Sequence, residues 1–255
     1  MLDQILPANL FAAALVFARL GSALMLMPGI GDTYVASRFR LVLALAMTAV
    51  ATPIVAPMLP ALPTSPIRLA LMLCGEIAVG LFLGSIARVL LAALEIAGTV
   101  ISIELGLSAA LVFNPLQQTQ EAITSAFYSV AGVVIIFLTD LHHPMLKALV
   151  ASYSVFHPGA GFYWGDFSDA MARAVADSFR LGIEIAAPFI MLGTMFYVAV
   201  GLLSRLAPQL QILFVIQPLQ IVAGLTAFAL LVGSGLQWFL ERYAASFANL
   251  IGVGA

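Results

Sequence analysis

The chain has 255 residues, of which 63% are hydrophobic and only 22 are charged, ten basic and twelve acidic. Ordinary soluble domains carry about 25% charged residues, so a water-facing surface of this size cannot be covered, which excludes a cytosolic enzyme, a disordered protein and a disulfide scaffold. A net charge of −2 gives no reason to expect nucleic acid as a partner, and the single cysteine, Cys74, excludes an internal disulfide or a cysteine metal cluster. The composition is that of a membrane protein, and the expected fold class is an all-α membrane protein.

No basic region precedes the first apolar run, whose opening charges are Asp3 and Arg19. It therefore reads as a retained helix and not as a cleavable signal. A membrane crossing needs about 20 mostly apolar residues. On that measure the sequence predicts helices over 5–27, 39–57, 69–92, 94–112, 122–139, 172–203 and 209–244, with a shorter half-helix at 144–156. Pro28-Gly29-Ile30-Gly31-Asp32 should end the first helix, and Pro53, Pro57, Pro60, Pro63 and Pro66 punctuate the second connection. The longest polar connector should run from His157-Pro158-Gly159 to about Asp169. Ser204-Arg205-Leu206-Ala207-Pro208 should turn between the last two helices, with Pro208 suited to a helix start. Arg38 and Arg40 are the strongest orienting cue, although the basic residues divide almost evenly between the two sides.

Several charges fall within apolar segments: Arg19, Glu76, Arg88, Glu95, Glu104 and Glu184. A charge at the bilayer centre costs about 2.5–3.5 kcal/mol on insertion scales, so these must face protein or water. Gly80 and Gly84 follow Glu76 at i+4 and i+8. This spacing lets another helix approach closely and turns Glu76 into a helix contact. Arg88 and Glu95 share a face two turns apart, beyond direct i,i+4 pairing, and point to a polar contact between helices or subunits. Pro188 leaves the carbonyl of Glu184 without its usual donor, so a kink is expected there. Gln217, Gln220 and Gly224 share one face of the last helix, as neutral glue between helices or as a pathway lining.

The three histidines are His142, His143 and His157. Adjacent helical residues project about 100° apart, so His142 and His143 are not expected to hold one metal. Asp140 beside His142 could orient an imidazole in a membrane acyltransferase, the weakest of the functional readings. No zinc-protease, serine-hydrolase or phosphate-binding motif is present, and the expectation is no catalytic residue, no metal and no cofactor. The uncharged stretch Leu105-Gly106-Leu107-Ser108-Ala109-Ala110-Leu111-Val112-Phe113-Asn114-Pro115, followed by Leu116, Gln117, Gln118, Thr119 and Gln120, begins like a helix and then meets a turn signal. Such a stretch can either close a pore or form a surface turn.

Three blocks carry a resemblance to a known family: Leu105-Gly106-Leu107-Ser108 through Asn114-Pro115; Asp140-Leu141-His142-His143 with Leu149 and His157-Pro158-Gly159; and Gly201-Leu202-Leu203-Ser204-Arg205-Leu206-Ala207-Pro208-Gln209-Leu210 with Pro218-Leu219. The chain resembles, over nearly its full length, the FliR family of flagellar biosynthetic membrane proteins. It departs at Asn114, where the family usually has Asp, at Glu104, where it often has Gln, and at Asp140-Leu141, where Asn-Gly is common.

The resemblance implies a non-enzymatic export-gate subunit in the inner membrane and flagellar basal body. Its partners would be FliP, FliQ, FlhA, FlhB, unfolded flagellar substrates and membrane lipid. Residues 1–171 would form a FliP-like part and 172–255 a FliQ-like helical hairpin turning at Arg205, Pro208 and Gln209. Gly106, Leu107, Ser108, Leu111, Val112, Phe113, Asn114 and Pro115 would belong to a channel plug. Glu76, Gly80, Gly84, Arg88 and Glu184 would be packing or subunit contacts. The related subunit of virulence type III secretion, SctT, is the alternative; those relatives often carry a lysine shortly after the proline matching Pro218, and this chain has Gln220. A small-solute transporter or proton channel is a third reading, disfavoured by the absence of an inverted repeat.

Overall fold

The computed structural model describes residues 2–107, 122–159, 164–206 and 212–251. These are helical almost throughout, and no strand occurs among them. The elements are α1 (Leu2–Leu26), α2 (Ser37–Val55) with a single 3-10 turn at Ala56–Met58, α3 (Pro66–Glu104), α4 (Ile123–Leu138), α5 (His142–Val155), α6 (Trp164–Leu206) and α7 (Ile212–Ile251). Five are long and apolar enough to cross a membrane, and α4 with α5 passes the same test as one broken span or re-entrant loop.

Two boundaries differ most from the sequence reading, and the last helix also runs on to Ile251, past the expected 244. The expected helices 69–92 and 94–112 are one helix of 39 residues. Ala92-Ala93-Leu94 contains no breaker, so the helix passes straight through. The helix also stops well short of 112. Gly106 takes φ 72, its amide donates to the Ile103 carbonyl at 3.0 Å, and the Leu107 amide reaches the Ser102 carbonyl at 3.0 Å. This paired pattern is the Schellman ending, in which a left-handed residue turns the chain back over the last carbonyls. At the other boundary, α6 begins at Trp164, inside the expected polar connector. Asp166 in its first turn favours a start there, since acidic groups complement the positive helix end. α6 runs on past Pro188 and α7 past Pro218. The expected half-helix at 144–156 is present as α5.

The chain folds as two compact units. The first comprises residues 1–90, 136–175 and 244–255. Its core is lined by Leu15, Leu20 and Leu24 of α1, Ala44 and Val55 of α2, Leu83 and Ala87 of α3, and Met145 and Leu149 of α5. The second comprises 91–135 and 176–243. Its buried side chains include Leu94 and Ile101 of α3, Tyr128 of α4, Phe189 of α6, and Phe239 of α7.

Glycine sets helix spacing in both units. In the first, a Cβ on Gly84 would lie 2.6 Å from the Ala23 carbonyl oxygen, and one on Gly80 would run into the Arg19 carbonyl and Ser22 Oγ. In the second, a Cβ on Gly182 would lie 2.8 Å from the Ala93 carbonyl oxygen. Backbone, unlike a side-chain tip, cannot yield to an added methyl.

Candidate functional site

The deepest polar feature is in the first unit. The Arg19 side chain is 1% exposed and that of Glu76 3%. Arg19 Nε donates to Glu76 Oε2 at 2.7 Å, and Nη2 donates to Oε1 at 3.1 Å. This two-point pairing matches the planar guanidinium to the carboxylate. Nη1 donates to Ser152 Oγ at 3.1 Å, and Ser152 in turn donates to the Leu149 carbonyl. Nη2 also donates to the Phe156 carbonyl at 2.8 Å. Phe156 caps the end of α5, where carbonyls lack helical partners and carry partial negative charge. The Tyr153 ring lies 3.9 Å below the guanidinium carbon. One arginine thus ties α1 to α3 and to the C-terminal end of α5, with its charge met by a carboxylate, a helix end and an aromatic face.

Arg88 finds its partner in the turn after α1 and not along its own helix. Its Nη1 donates to Asp32 Oδ1 at 2.8 Å. Asp32 also accepts from the Gly29 amide at 2.7 Å and from Tyr34 Oη at 2.8 Å, in the predicted turn after α1. Partial burial alone would raise the Asp32 pKa. The hydrogen bonds from Tyr34, Arg88 and Gly29 outweigh it and hold the carboxyl below the usual aspartate range. The same burial, with Asp32 as acceptor, pushes the Tyr34 hydroxyl up to about 12.

In the second unit, Glu95 accepts from Ser129 Oγ at 3.2 Å, while its carbonyl takes Ser125 Oγ at 3.1 Å. Glu184 pairs along its own helix with Arg180, Nε to Oε1 2.8 Å. Around the end of α3, Gln220 Nε2 donates to the Glu104 carbonyl at 2.8 Å and to Tyr197 Oη at 3.3 Å. A Cβ on Gly106 would sit 3.4 Å from the Gln220 amide, and one on Gly224 would strike Leu105. Gln220 and Gly224 of α7 therefore pack on the last turn of α3, at the root of the segment 105–120. Of the residues singled out in that segment, Gly106 and Leu107 form the helix ending; Ser108, Leu111, Val112, Phe113, Asn114 and Pro115 lie outside the described residues, as do Pro208 and Gln209. Arg205 lies in the last turn of α6.

The histidine geometry also departs from the sequence reading. His142 and His143 open α5, and their ring centroids are 4.2 Å apart. One donor atom from each of Asp140, His142 and His143 lies within 4.8 Å of the others. Helical projection fixes where Cβ points, but at the first turn the side-chain rotamers fold the two rings together, and Asp140 swings in from the preceding turn.

Long, strongly apolar helices with a buried ion pair and many uncovered apolar side chains define an all-α, multi-pass class of membrane protein. The chain belongs to the bacterial export proteins, family 1, whose model matches residues 10–246, and within it to the FliR family. It is 37% identical to the flagellar biosynthetic protein FliR of Caulobacter vibrioides over 92% of this chain and 94% of that protein. It is 28% identical to FliR of Pectobacterium carotovorum over 85% and 82%. Yop proteins translocation protein T of Yersinia pestis is 25% identical over 63% and 62%.

Proposed function

We propose that the protein is a non-enzymatic subunit of the flagellar type III export gate, forming part of the channel that carries unfolded flagellar proteins across the inner membrane. The observation that carries this reading is the 37% identity to a FliR protein along almost the whole of both chains. The likeness to the Yersinia pestis translocation protein is weaker and covers less of each chain, which favours the flagellar over the virulence system. FliP, FliQ, FlhA and FlhB are the partners. Residues 1–171 act as the FliP-like part and 172–255 as the FliQ-like hairpin. The uncovered apolar faces support assembly with other membrane subunits: Phe39, Val42 and Val50 of α2, Met191 and Met195 of α6, and Val222 and Leu230 of α7 are all exposed.

Within this reading, residues 105–120 close the channel. The capped end of α3, pinned by Gln220, gives that segment a fixed root. Deletion of the gene should leave basal-body rings without hooks or filaments, restored by a plasmid copy; normal filaments in the deletion strain would refute the proposal. Removing 108–116 while keeping Gly106 should make cells leak ions and grow slowly. Unchanged conductance would reduce the segment to a turn.

A further inference from the structure

We propose that Asp140, His142 and His143 bind a divalent transition-metal cation of the zinc type, a site separate from the export reading. Three atoms mutually within 4.8 Å share a point at most about 2.8 Å from each, so shifts of under ~1 Å reach zinc's bond lengths of about 2.0–2.2 Å. Two imidazoles and a carboxylate suit Zn²⁺, Co²⁺ or Ni²⁺, whereas Ca²⁺ and Mg²⁺ prefer all-oxygen sites. Three protein donors leave the fourth tetrahedral position to water.

The turn builds the site. α4 ends as α3 does: the Asp140 amide donates to the Phe137 carbonyl at 3.3 Å and the Leu141 amide to the Ile136 carbonyl at 3.0 Å. Asp140 holds the left-handed position, φ 58, which glycine would occupy with less strain. Its carboxylate lies 3.7 Å from His143 Nδ1, beyond hydrogen-bonding distance and a gap that a shared cation would fill. His142 Nδ1 is buried without a hydrogen-bond partner, and an unmet nitrogen of this kind is destabilising until something binds it. Phe137 stacks on the His142 ring, centroids 4.8 Å apart and 18° from parallel, and limits its rotation. The side chains of Asp140 and His143 are 76% and 59% exposed, so an ion can enter from solvent. Because all three ligands come from four successive residues, the cation would clamp the turn between α4 and α5.

The test uses the full chain in detergent, freed of any histidine tag and titrated with Co²⁺, whose visible absorption reports tetrahedral nitrogen and oxygen ligation, followed by competition with Zn²⁺. One Co²⁺ per chain should bind and be displaced by Zn²⁺. His142→Ala and His143→Ala should each weaken binding about tenfold or more, while His157→Ala should not. Asp140→Gly should weaken it similarly yet keep the protein folded, since glycine accepts the positive φ, so loss of metal there cannot be assigned to unfolding. Absence of saturable binding, or equal binding by the His142→Ala/His143→Ala double variant, would overturn the proposal.

Discussion

Arg19 and Glu76 stand 57 positions apart, and no local spacing rule connects them. Both were recognisable as charges in apolar helices, and Gly80 and Gly84 marked the close helix approach beside them. The pairing itself was not legible, because it depends on which helix lies opposite. The cost of breaking it should be large: Glu76→Ala leaves an uncompensated buried cation and should destabilise by about 3–5 kcal/mol, seen as a lowered melting temperature in detergent. The double variant Arg19→Met/Glu76→Leu removes both charges and should recover most of that loss.

A second residue-scale prediction concerns Asp32 and Tyr34, which lie between the membrane-competent segments. A depressed carboxyl pKa means that the folded state gives up its proton more readily than the unfolded chain. That contribution is present above about pH 4 and is lost as pH falls through the lowered value. Tyr34 has the opposite sign: its raised pKa contributes stability in full below about pH 10, lost as pH climbs to about 12. Tyr34→Phe should therefore flatten the alkaline decline in stability and move the acid decline to higher pH, because Asp32 loses a donor. Denaturation followed across pH for both proteins checks this; identical profiles would count against the Asp32–Tyr34 contact.

At the scale of elements, the existence and type of the helices were legible from apolar runs, and the ends of α2, α4 and α5 fell within two residues of expectation, whereas the end of α3 did not. Hydropathy continues through Leu105-Gly106-Leu107 without a change, so the reading ran on to residue 112. The helix ends because one backbone angle changes sign at Gly106, a property that apolarity does not register. Asp140 ends α4 by the same device without being glycine, yet there the charge also closes the apolar run, and the expected end at 139 lies one residue from the observed Leu138. Gly106→Ala should cost about 1–2 kcal/mol, since an L-residue is strained in the left-handed region. It should also loosen the Gln220 anchor, measurable as faster amide exchange at the end of α3. The closeness of the two histidine rings was hidden for a related reason: helical projection describes Cβ directions, while the rings meet through their rotamers.

For the whole molecule, the scarcity of charge correctly indicated an all-α membrane protein. It did not reveal how many apolar side chains would remain uncovered. Leu219, Val222, Leu225 and Leu230 all lie exposed along α7, and lipid or neighbouring subunits must cover such rows. Expressed alone in detergent, the chain should run as a heterogeneous, aggregation-prone species. Coexpression with the FliP and FliQ of the same bacterium should yield a defined complex and more recoverable protein; a monodisperse, stable monomer would contradict the assembly reading.

The uninterrupted length of α3 bears on how the protein finds its depth. Thirty-nine helical residues rise roughly 58 Å, nearly twice the ~30 Å hydrocarbon slab. A helix that overshoots so far cannot keep all its apolar length in hydrocarbon at once, and Glu76, Arg88, Glu95 and Glu104 along it each need protein or water around them at any height. Lipid alone therefore cannot accommodate it. The vertical address of the chain is set by what it docks against, so depth becomes an outcome of assembly and not an instruction carried in each segment.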